Sequence, residues 1–106
     1  MERETLQGMS ATINLRQRIG DLTRTALLAA QDAGALPSFE VPADVPVEQS
    51  RHAAHGDYST PVCMGLARLL RRAPLQIAQI VAQHMPAAPS IARVDVAPPG
   101  FINFTL

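Results

Sequence analysis

The sequence predicts an α+β domain, a two-layer sandwich whose antiparallel four-stranded sheet carries helices on one face, in the order α-β-β-α(α)-β-β. Three observations lead there. An apolar repeat at three- and four-residue steps runs from Asn14 to Ala33. Two proline-started apolar segments lie between Pro61 and Met85. Residues 92–106 alternate on either side of Pro98, Pro99 and Gly100, as a hairpin does.

Residues 1–13 are polar and read as a lead-in to a single domain over 14–106. Asn14 with Gln17 is a capping pair for the first helix. Leu15, Ile19, Leu22, Ala26, Ala29 and Ala33 form its apolar stripe, and Gly34 suits the left-handed residue that ends it. Pro37, Pro42 and Pro46 punctuate the next stretch. Within it Phe39 and Val41 alternate with Ser38 and Glu40, a short strand that Pro42 ends or confines to an edge. Residues 43–54 read as a loop, and Tyr58 as a short strand passing into a helix. Thr60 is placed as N-cap and Pro61 as first helical residue. That helix, to about Arg72, packs Val62, Leu66, Leu69 and Leu70. Pro74 starts another, with Ile77, Val81 and Met85 inward, until Pro86. Ala92, Val94 and Val96 make a half-buried strand, and the turn at 97–100 returns it as the final strand.

The final strand is the richest in chemistry. Ile102, Phe104 and Leu106 point to one face, and Phe101, Asn103 and Thr105 to the other. The first set suits a core. The second holds an aromatic, an amide and a hydroxyl on a rigid strand, which suits stacking on unpaired bases and reading a base edge. A plain alternative covers Phe101 with the proline turn and pairs Asn103 with backbone. The pattern alone leaves both open. The chain also stops inside this strand, so it is expected to be part of a longer one.

Composition narrows the classes. In 106 residues, 47% are hydrophobic and 4% aromatic, so aliphatic side chains fill the core. All nine basic residues are arginine, and the formal net charge is zero. A free-standing nucleic-acid binder is usually strongly basic, so any RNA contact here is modest and shared with other domains. The single cysteine excludes an internal disulfide and fits a cytoplasmic location. No apolar run is long enough to span a membrane.

Other residues have weaker claims. Gly56 and Gly100 read as turn glycines in conformations closed to other residues. Asp57 caps a turn or holds a nearby amide, and Tyr58 buries its ring while its hydroxyl stays wet. Arg68, Arg71 and Arg72 share one helix side, where they can meet phosphates or simply match the helix C-terminal dipole. His52, His55 and Asp57 lie in a loop, a poor frame for a metal. Cys63 reads as core and His84 as surface.

His55-Gly56-Asp57-Tyr58-Ser59-Thr60, the Pro74 to Ala78 helix start, and Pro99-Gly100-Phe101-Ile102-Asn103-Phe104 stand in an order and spacing that resembles the N-terminal additional domain of arginine–tRNA ligases. The likeness spans about Leu15 to Leu106 and departs at Pro61, where that family usually has asparagine. It implies a sandwich leaning on the catalytic domain of the same chain and touching the D-loop of tRNA(Arg), which favours the base-contacting reading of Phe101, Asn103 and Thr105. It implies no catalytic residue, metal or cofactor in this stretch; ATP and magnesium belong to the parent enzyme's other domains. Two rivals are a stand-alone adaptor binding protein through residues 36–49, and a small hydrolase or metal enzyme using His52, His55 and Asp57.

Overall fold

The computed structural model describes residues 15–50 and 56–106. The elements are α1 (Leu15–Asp32), β1 (Glu48–Gln49), β2 (Tyr58–Thr60), α2 (Val62–Leu70), α3 (Pro74–Gln83), β3 (Arg93–Ala97) and β4 (Phe101–Thr105). The expected Asn14 cap and the lead-in lie outside the described residues.

α1 buries Ile19, Gly20, Thr23, Ala26, Leu27 and Ala30. This face is rotated from the expected stripe: Leu22 and Ala29 are half-buried, and Ala33 is exposed. Thr23 accounts for the shift. Its hydroxyl donates to the Ile19 carbonyl at 2.8 Å, so its polar need is met within the helix and it can sit in the core. Gly34, at φ 75°, ends the helix as expected.

The strand expected over Ser38 to Val41 is not formed. Pro37 and Pro42 remove ladder donors on either side, and the segment packs as an irregular connector. Leu36, Val41 and Val47 are buried. Its backbone is met by side chains of α1: Arg24 Nε donates to the Pro42 carbonyl at 3.1 Å, and Gln31 Oε1 accepts from the Phe39 amide at 3.3 Å. The first strand lies instead at Glu48–Gln49, inside the expected loop, where both side chains are exposed. Only backbone pairing defines it.

The sheet order is β1-β2-β4-β3, antiparallel throughout. The hairpin expected at the end of the sequence is present, with β4 central. Tyr58, Phe104 and Val94 stand in one row, as do Thr60, Ile102 and Val96. These rows face the helices, where Ile102 and Phe104 join Ile19, Leu27, Ile77 and Val81 in a fully buried core. α3 lies against β3 and β4, α2 against β4, and α1 against α3.

α2 begins one residue later than expected. Pro61 is its N-cap and offers no side-chain cap; the Thr60 hydroxyl, still in β2, accepts from the Val62 amide at 3.2 Å. Val62, Cys63, Leu66 and Leu70 are buried. Leu69, expected among them, is 63% exposed. At 3.6 residues per turn it falls roughly 75° round from the middle of that face. Arg71 ends the helix in a left-handed conformation, φ 55°. α3 has Pro74 in its first turn and stops at Gln83, before Pro86 is reached.

Gly100 is required for space, and no left-handed φ is found there. A Cβ at this position would stand 2.5 Å from Pro74 Cβ and 2.9 Å from Pro74 C. The β3–β4 turn therefore rests directly on the start of α3. Gly100→Ala is expected to destabilise the domain by about 2 kcal/mol, read as a lower urea midpoint; an unchanged midpoint would contradict this contact.

Cys63 is fully buried, and burial pushes its thiol from 9.0 up to about 12. Below pH 9 the thiol is protonated whether folded or unfolded. Above it, the unfolded chain ionises first, so stability is lost as pH rises towards 12. The stability difference between wild type and Cys63→Ala should be flat below pH 9. It should then move against wild type by about 1.4 kcal/mol per pH unit above it. A difference that stays flat to pH 11 would show that the thiol is not sealed in the fold.

Candidate nucleic-acid interface

The strand register sorts the sheet's polar residues onto the face away from the helices. Glu48, Ser59, Asn103 and Asp95 form one cross-strand row, with Arg93 opposite Thr105 and Ala97 opposite Phe101 on either side. The three residues singled out in the sequence, Phe101, Asn103 and Thr105, thus share one face of the central strand, as alternation requires.

Their accessibility differs from what alternation alone suggests. Phe101 is half-buried. Asn103 is only 6% exposed. It lies under no helix; its neighbours on the face are Ser59 and Asp95 across the ladder and Phe101 and Thr105 along its own strand. A short side chain in the middle of a four-stranded sheet is shadowed by such neighbours. Among the described residues its amide has no hydrogen-bond partner. The Thr105 hydroxyl oxygen is buried with no partner, close to where a side chain on Gly56 would stand.

The Gly56-Asp57-Tyr58 stretch fixes the end of this strand. Gly56 has φ 73°, and a Cβ there would lie 2.7 Å from the Phe104 carbonyl oxygen. The Asp57 amide donates to that same carbonyl at 2.8 Å, and its own carbonyl accepts from Ser50 at 2.9 Å. The Asp57 carboxylate Oδ2 accepts from the Leu106 amide at 2.8 Å. Asp57 is therefore a clamp across the β2–β4 seam, each such bond contributing about 1 kcal/mol. Tyr58 is half-buried on the helix-facing side, packed against the core.

The three arginines at the end of α2 and just past it separate. Arg68 and Arg71 are exposed. Arg72 Nη1 donates to the Ala35 carbonyl at 3.2 Å, joining the turn after α2 to the turn after α1. Sequence spacing could not show this, since the partner lies far away in the chain.

The hydrolase or metal-enzyme reading rests on His52, His55 and Asp57. His52 and His55 lie outside the described residues, and Asp57 is engaged by Leu106. His84 is half-buried, with Nδ1 2.9 Å from the Ile80 carbonyl. A groove of about 410 Å³ between α1 and residues 43–47 is lined by Arg16, Gln17, Asp21 and Asp44 among others, with no nucleophile. In the segment 36–49 of the adaptor reading, Leu36, Val41 and Val47 face inward while Pro37 and Pro46 are exposed.

One pair was missed in the sequence. Arg93 Nε meets Asp95 Oδ2 at 2.7 Å on the open face. The signal was present in the alternation of Arg93 and Asp95 with Val94, but their place beside Asn103 needs the register.

Residues 14–106 match the family described as the arginyl tRNA synthetase N terminal domain. Arginine–tRNA ligase of Halorhodospira halophila is 41% identical over 93 residues, covering 87% of this chain and 16% of that protein. The Frankia alni ligase is 47% identical over 66 residues, covering 62% of this chain and 12% of that protein. Among solved structures, Thermus thermophilus arginyl-tRNA synthetase superposes with a TM-score of 0.66 at 27% identity, over 87% of this chain and 14% of its own. The chain thus spans about one-sixth of the length of the ligases it resembles.

Proposed function

The chain belongs to the arginyl-tRNA synthetase N-terminal domain family, and from that premise we propose that it is the tRNA-contacting accessory domain of an arginine–tRNA ligase. The open face of β4 meets the D-loop at the elbow of tRNA(Arg). Arginylation itself is carried out by parts of the enzyme beyond this chain, in the cytoplasm.

The observation that carries this reading is the placement of Phe101 and Asn103 on one face of a strand paired on both sides. Phe101 offers a ring to an unstacked base, and the Asn103 amide offers a donor and an acceptor to its edge. Neither needs a net positive charge, which the domain lacks. Thr105 serves this face by packing against Gly56. Arg68 and Arg71 stand exposed as additional phosphate contacts.

On this reading ATP and magnesium belong to other parts of the enzyme. Pro61 caps α2 and Pro74 lies in the first turn of α3, so both helix starts lack an amide that a phosphate cradle would use. The domain's part in arginylation is to bind and orient tRNA.

In the complete ligase, Phe101→Ala and Asn103→Ala are each expected to weaken tRNA affinity about ten-fold, from the loss of one stacking or base-edge contact. Arginine and ATP affinities should stay as in wild type. Unchanged tRNA affinity in both variants would discard this surface.

A further inference from the structure

Among the described residues, Arg93 is the one cation on the four strands. It lies diagonal to Asn103, since Asp95 is the residue directly opposite; diagonal neighbours stand about 7–8 Å apart, within reach of a long side chain. Arg93 is 66% exposed and Asp95 49%. Their contact uses Arg93 Nε, which leaves the guanidinium's terminal nitrogens with donors to spare.

We propose that Arg93 is the phosphate-contacting residue of the open sheet face, and that Asp95 acts as a positioning residue that aims its guanidinium along the strand towards the RNA backbone beside the base held by Phe101 and Asn103. This rests on the reading of that face as an RNA surface. Other charges on the face are acidic, Asp95 and Glu48, so an approaching polyanion finds its one attractive charge on the sheet at Arg93. Arg72 is engaged elsewhere by Ala35. Base contacts specify and phosphate contacts position; the two roles fall to adjacent strands, β4 and β3.

An exposed ion pair adds little to folding, so variants of either partner should fold. The experiment is titration of the complete ligase with tRNA(Arg) across a series of salt concentrations. Arg93→Ala is expected to bind about five-fold more weakly at low salt, with the slope of log K against log salt reduced by about one. Asp95→Asn breaks the ion pair but keeps the cation, and should retain the wild-type slope. Phe101→Ala should lose affinity at every salt concentration with its slope unchanged. An unaltered slope in Arg93→Ala, or an equal loss of slope in Asp95→Asn, overturns the role given to Arg93. If Phe101→Ala and Asn103→Ala bind normally, the RNA face itself fails, and the Arg93 proposal falls with it.

Discussion

Everything in this domain hangs on β4 being hydrogen-bonded along both edges. β2 holds one edge and β3 the other, and the Asp57 carboxylate holds the Leu106 amide just past its end. A strand so placed cannot slip. A one-residue shift would turn Asn103 into the core and Phe104 out of it, at the cost of a fully buried phenylalanine. The packing of Ile102 and Phe104 under α2 and α3 and the placing of Phe101 and Asn103 on the opposite face are two consequences of one register.

The glycines serve that register from either end of the strand. Gly56 lets the chain enter β2 against the Phe104 carbonyl, and Gly100 lets the hairpin turn lie on Pro74. The motifs that resemble the ligase domain are therefore mostly geometric. They set where two strands meet and where a helix may begin. On the proposed reading, what remains for recognition is a small set of side chains on a face that carries Glu48 and Asp95 against a single Arg93. Such a face would discriminate by shape and stacking, and leave most of the attraction for tRNA to other parts of a ligase.

Local patterns in the sequence carried most of the fold. The hairpin at the end, the proline-started helices and the Gly34 terminus are each determined by residues close together in the chain. β1 was not legible, because Glu48 and Gln49 have no alternation and owe their strand to pairing with Tyr58 and Ser59. The expected strand at Phe39 and Val41 had alternation but is flanked by Pro37 and Pro42, which have no donor, and the Phe39 amide is taken by Gln31. On the candidate face, the side to which Phe101, Asn103 and Thr105 point followed from alternation. The shadowing of Asn103, the buried Thr105 hydroxyl and the Arg93–Asp95 pair depend on which strands become neighbours, and one strand's sequence does not contain that.

The central claim, that β4 is the most firmly held strand and hence a rigid platform for Phe101 and Asn103, is tested most directly by native-state amide hydrogen exchange. The account predicts that β4 amides exchange only through unfolding of the whole domain, together with those of α3, while β1 amides open more easily. β4 amides that exchange through a lower-energy opening, with α1 and α3 still protected, would contradict it.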